Sequence, residues 1–124
     1  MDYKEDIGIE TLLNKTIIEI NNTGDEITFT TDDGNKYMML HYQDCCEGVS
    51  VEDIVGNLED LLNSPIIMAE EVVSSDNPDD IKKEYQDSFT WTFYKLATVK
   101  GYVTIRWYGE SNGYYSESVS FVKI

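Results

Sequence analysis

The stretch that decides the fold is Ser50–Leu62, SVEDIVGNLEDLL. Its apolar residues Val51, Ile54, Val55, Leu58 and Leu61/Leu62 recur at the spacing that lines up one face of an α-helix. Ser50 suits the N-cap, and Asp53 can return a bond to the cap's own N–H. Glu52, Asp53, Glu59 and Asp60 take the opposite side, where the early pair complements the positive end of the helix dipole and the later pair does not. Gly56 inside a helix costs about 1 kcal/mol against Ala, so close backbone packing is expected there. Pro65 ends the region. On this reading one main helix spans about 50–62.

The flanking sequence reads as antiparallel strands. Lys15–Asn21 (KTIIEIN) and Glu26–Thr31 (EITFTT) sit around the turn NTGD, and the turn DDGN leads into Lys36–Tyr42 (KYMMLHY). Ile7–Leu13 suits a short helix or an extended lead-in. Ile66–Val73 (IIMAEEVV) reads as a further strand. After a polar loop, Ser88–Lys100, Tyr102–Tyr108 and Tyr114–Val122 form three aromatic strands, with GESNG at 109–113 as a hairpin turn. The expected class is α+β: a mostly antiparallel sheet of about six to seven strands with the 50–62 helix packed on one face.

The 124 residues fit a single domain over 1–124 and suffice for a real core. Charge is distributed unevenly. Twenty-four acids face nine bases, for a net of −15. Residues 1–43 carry nine acids and three bases, residues 44–87 thirteen and two, and residues 88–124 two and four. The middle segment is therefore −11 while the last is +2. With a single Arg, direct nucleic-acid binding is disfavoured, and anionic membranes are disfavoured for the same reason. A basic protein surface or a divalent cation is the electrostatic complement. No apolar run approaches bilayer length, and the opening MDYKEDIGIE lacks a signal-peptide layout. The expectation is a cytoplasmic protein with reduced thiols.

Three features invite chemistry. HYQDCCE, His41–Glu47, gathers the single histidine and both cysteines beside two carboxylates. His41, Asp44, Cys45 and Cys46 are metal-ligand types, yet adjacent cysteines do not aim readily at one ion, and there is no second Cys/His cluster. A Cys/His nucleophile pair is the catalytic alternative. The structural reading has a cysteine filling the junction as a small apolar residue and His41 on a half-buried strand. Acid pairs Glu52/Asp53, Glu59/Asp60 and Glu70/Glu71, with Asp76/Asp79/Asp80, suit a solvated face or an anionic docking surface; the last group fails the EF-hand pattern. In the aromatic strands Phe89, Trp91 and Phe93 alternate with Thr90, Thr92 and Tyr94. If the first set is core, Tyr94, Tyr102, Arg106 and Tyr108 share an outer face with the composition of a binding patch. The competing reading is a solvated sheet face with Arg106 paired to a nearby acid.

No phosphate-binding glycine loop, HExxH, nucleophile elbow or paired CxxC is present. The blocks HYQDCCEGVSVEDIVGNLEDLLNSPIIMAEE and SFTWTFYKLATVKGYVTIRWYGESNGYYSESVSF resemble a family of small uncharacterised proteins from phages and prophages of Gram-positive hosts, over about Ile9 to the C-terminus. That family is a domain of unknown function, so the resemblance carries over no catalytic residue and no cofactor. It implies an accessory gene expressed inside an infected or lysogenic cell, a setting in which such proteins are often inhibitors of host machinery, including defence systems.

The expectation is a non-enzymatic binding protein without cofactor. Its acidic face (Glu52, Asp53, Glu59, Asp60, Glu70, Glu71) and aromatic patch (Tyr94, Tyr102, Arg106, Tyr108) engage a host defence or nucleic-acid-handling protein with a basic surface. Two rivals stand beside it. One is a metal- or thiol-dependent enzyme centred on His41–Glu47. The other is a self-assembling structural or virion-associated protein, working as a homo-oligomer.

Overall fold

Residues 50–62 are not a helix. The structure, a computed structural model, describes residues 4–44, 46–74, 88–111 and 116–124. There the first half of the stretch lies in strand β4 (Gly48–Val55), and the second half is a four-residue 3-10 segment, Leu58–Leu61. Among the described residues no helix reaches seven residues, and the other helical piece is the 3-10 segment Ile9–Leu12. The α+β expectation with a main helix is therefore corrected to an antiparallel all-β fold.

The physical reason lies at Glu52. β4 pairs with β7 (Gly101–Ser111), and the register shifts between Val51, opposite Trp107, and Asp53, opposite Arg106. A bulge of this kind adds one residue to one strand. It changes the inward spacing from two to three, so Val49, Val51 and Ile54 all pack on the core. Spacing of three after a β-branched pair imitates a helix face. Gly56 then takes φ 105, a left-handed conformation that ends the strand. Asn57, not Ser50, is the cap: its side chain accepts the Glu59 N–H at 3.0 Å, while Ser50 pairs in the sheet with Tyr108.

Among the described residues eight strands form two four-stranded sheets. One has the order β1 (Ile17–Asn22), β2 (Glu26–Thr31), β3 (Lys36–Leu40), β8 (Ser120–Lys123). The other is β4, β7, β6 (Ser88–Thr98), β5 (Met68–Ser74). The opening meander follows the sequence reading. Its turns place Gly24 at φ 92 and Gly34 at φ 88, where residues with a Cβ are strained. At the second turn Asp33 accepts from Thr31 Oγ1 at 2.5 Å, Asn35 N at 3.2 Å and Lys15 Nζ at 3.1 Å. These bonds, the Thr31 hydroxyl first, hold its carboxyl well below the usual range.

The sheets pack face to face over one core. Ile17, Ile27, Phe29, Tyr37, Met39 and Phe121 come from the first sheet, and Ala69, Tyr94, Leu96, Val103, Ile105 and Trp107 from the second. The 3-10 segments close the open sides with Ile9, Leu12 and Leu61, all 0% exposed. At about 25 cal/mol per Å² of apolar area removed from water, such residues supply the main stabilising term.

Strand β6 carries a second correction. The expectation placed Phe89, Trp91 and Phe93 inside and Tyr94 outside. Instead Thr92, Tyr94, Leu96 and Thr98 are buried, and the aromatic set faces outward beside Arg106 and Tyr108. Two of the three inward polar side chains have carbonyl partners. Tyr94 Oη donates to Val119 O at 3.3 Å, and Thr98 Oγ1 donates to Asp60 O.

Candidate functional site

The inverted phase of β6 gathers aromatic and charged side chains onto the outer face of the second sheet. Its antiparallel register sets them in cross-strand rows. Ser50, Tyr108, Trp91 and Ser74 form one row across β4, β7, β6 and β5. Asp53, Arg106, Phe93 and Val72 form the next. Val55, Thr104, Lys95 and Glu70 follow, and then Tyr102, Ala97 and Met68. Residues opposed in this way touch through their side chains. The result is an aromatic centre with carboxylates at both edges.

At the centre is a clamp on Arg106. Its Nε lies 2.5 Å from Glu52 Oε2, and Nη2 lies 3.8 Å from Asp53 Oδ2. The guanidinium carbon stands 5.2 Å from the Trp91 ring centroid, within cation–π range. Tyr108 tilts against Trp91 with centroids 4.6 Å apart. In a regular strand Glu52 and Asp53 would point to opposite faces, and the bulge turns both toward Arg106. Asp53 is steadied by its own neighbour, since Ile54 N–H donates to its Oδ1 at 2.8 Å. The indole N–H of Trp91 is buried with no acceptor among the described residues, so ring contacts hold that side chain.

The sequence-derived sites are partly assembled and partly dispersed. Glu52, Asp53, Glu70, Tyr102, Arg106 and Tyr108 share this face, and Arg106 pairs with acids as the competing sheet reading held. Tyr94 is in the core, where burial, then Glu71 and Asp6, push its hydroxyl pKa up. Glu59 and Asp60 lie in the 3-10 segment at the sheet's end, against the β6–β7 turn. Glu71 points to the other side of β5, where partial desolvation, then Asp6 and Glu10, raise its pKa. Asp76, Asp79 and Asp80 lie outside the described residues. Trp91 and Phe93 were missed as surface groups. Their signal was the Thr/Tyr content of the alternate positions, which serves either face.

His41–Glu47 is a buried brace. His41 Nε2 lies 2.7 Å from Glu47 Oε2, with the two side chains 4% and 0% exposed. His41 Nδ1 donates to Ser118 O at 2.7 Å, a carbonyl that can only accept. Glu47 also accepts Asp44 N–H at 3.0 Å and Gln43 Nε2 at 3.2 Å. Both ring nitrogens are engaged, so neither offers a lone pair to a metal without rearrangement. Among the described residues no three His, Cys, Asp or Glu side chains converge on one ion position. Cys46 is disulfide-bonded, against the expectation of reduced thiols, and Cys45, the other cysteine, lies outside the described residues.

A family model for a domain of unknown function, DUF7448, matches residues 10–121, and the chain belongs to that family. No curated protein and no solved structure matches it. Among the described residues no helix is long and apolar enough to cross a membrane.

Proposed function

We propose that this DUF7448 member is a binding protein without catalytic activity that takes a cationic protein segment on the outer face of the β4–β7–β6–β5 sheet. One observation carries the reading: this face already holds a guanidinium between an indole ring and two carboxylates. Basic side chains of a partner meet the same chemistry, with Glu70 and Glu110 at the rim and the −15 net charge steering the approach. The phage or prophage setting implied by the sequence resemblance makes the partner a host protein with a basic surface, of the defence or nucleic-acid-handling kind, and the protein its inhibitor or modulator.

The test must separate this face from general attraction of polycations. A labelled arginine-rich peptide is titrated by fluorescence anisotropy. The charge-neutral changes Trp91→Leu and Tyr108→Leu are compared with Glu19→Gln on the other sheet and Asp32→Asn in its β2–β3 turn. The face variants weaken binding about tenfold or more, as interface anchors do, and the other-sheet variants leave it close to wild type. Affinity falls as salt rises, because exposed charges are screened within about 8 Å at physiological ionic strength. Salt-independent affinity, or equal loss in both variant classes, overturns the proposal.

A further inference from the structure

We infer that Glu52, Asp53 and Trp91 form a guanidinium site whose present occupant, Arg106, is exchangeable, and that an arginine of the partner displaces it. The inference rests on the binding function proposed above. It adds the ligand group and a built-in competitor.

The bulge is the first argument. It sets two consecutive carboxylates toward one cation, an arrangement that a regular strand forbids. The second is the shape of the site. A planar guanidinium stacks on an indole while its N–H groups fork toward separate carboxylate oxygens, whereas an ammonium is a compact point charge that cannot do both. The third is strength. The Arg106 side chain is 31% exposed, with Glu52 at 41% and Asp53 at 52%, so the contacts are screened and weak and serve poorly as an anchor of the fold. Among the described residues, two carboxylates around one cation also leave the clamp with a negative surplus. A resident arginine in a weak, over-acidic clamp is a placeholder that a second arginine can replace.

The test compares wild type with Arg106→Gln, using arginine-rich and lysine-rich peptides of equal length. Lys95→Gln serves as the control, because it removes one positive charge from the same face without vacating the clamp. Emptying the clamp removes a competitor of surface-pair strength, so Arg106→Gln gains about two- to fivefold for the arginine peptide beyond the Lys95→Gln gain. The gain for the lysine peptide matches that of Lys95→Gln. Trp91→Leu abolishes the arginine preference. Weaker binding by Arg106→Gln, or a gain equal to the control's for both peptides, overturns the exchange while leaving the binding function intact. Failure of wild type and Arg106→Gln to bind either peptide overturns both.

Discussion

Gly56→Ala separates the strand architecture from a helix by the sign of its effect. Gly56 takes φ 105, and a Cβ there would stand 2.6 Å from Tyr102 O and 3.3 Å from Val103 Cα. A left-handed backbone costs a residue with a Cβ about 1–3 kcal/mol. The clash is with the backbone of β7, a central strand of its sheet, so relief requires moving the sheet rather than a flexible side chain. Adding a comparable steric cost gives a destabilisation of about 2–4 kcal/mol, in the range of the larger single-residue effects. In a helix interior the same change would stabilise by about 0.8–1 kcal/mol. Urea unfolding followed by circular dichroism measures the difference. In a thermal scan the loss corresponds to a fall in Tm of roughly 8–16 °C for a chain of this size. A variant as stable as wild type, or more stable, refutes both the left-handed turn and the close approach to Tyr102.

The phase of β6 is tested by neighbours. Tyr94→Ala removes a fully buried ring and costs about 3–5 kcal/mol, whereas the outward Phe93→Ala costs roughly 1 kcal/mol, both read from urea midpoints. Glu47→Ala leaves His41 buried without its carboxylate and costs about 3–5 kcal/mol, while Glu47→Gln, which keeps the shape, costs less. Glu71 carries a pKa raised in the folded state, so the native protein holds the proton more tightly than the unfolded chain. Its contribution is therefore full below the unfolded value near 4.5 and is lost as pH rises through the folded value. Glu71→Gln should flatten stability against pH in that window and raise it at pH 7. Solvent screening at this exposed edge limits the gain to a few tenths of a kcal/mol. A steeper pH dependence in the variant would refute the assignment.

The meander was legible because its local signals agreed. EITFTT alternates without interruption, and both turns carry glycine where φ is positive. The β6 phase was not legible from alternation alone. Polarity ranks Phe89, Trp91 and Phe93 as the inner set, but Thr92, Thr98 and Tyr94 are each amphipathic enough to be buried once a partner accepts the hydroxyl proton. For Tyr94 and Thr98 those partners are the carbonyls of Val119 and Asp60. Both carbonyls lie more than twenty residues away in sequence, so no local window contains them. HYQDCCE reads toward a structural role because its spacing suits no metal, yet nothing in the spacing singles out Glu47 as the partner of His41.

The bulge at Glu52 accounts for both the misreading and the candidate site. A strand with one extra residue shows apolar positions 49, 51 and 54, a pattern whose last step belongs to a helix. The β-branched content of VSVEDIV argued for a strand all along, but propensity is a weak prior when spacing points the other way. The same extra residue lets neighbouring acids face one cation, which neither a regular strand nor the acidic side of a helix would bring against Trp91. If the bulge serves only to bend an edge strand, restoring alternation by deleting Glu52 should leave a stable sheet that keeps its affinity for arginine peptides. If it builds the clamp, the deletion keeps the fold, leaves Asp53 as the one carboxylate opposite Arg106 and erases the preference for arginine over lysine. A deletion variant that folds and retains that preference would show that the acids and the aromatic row act independently.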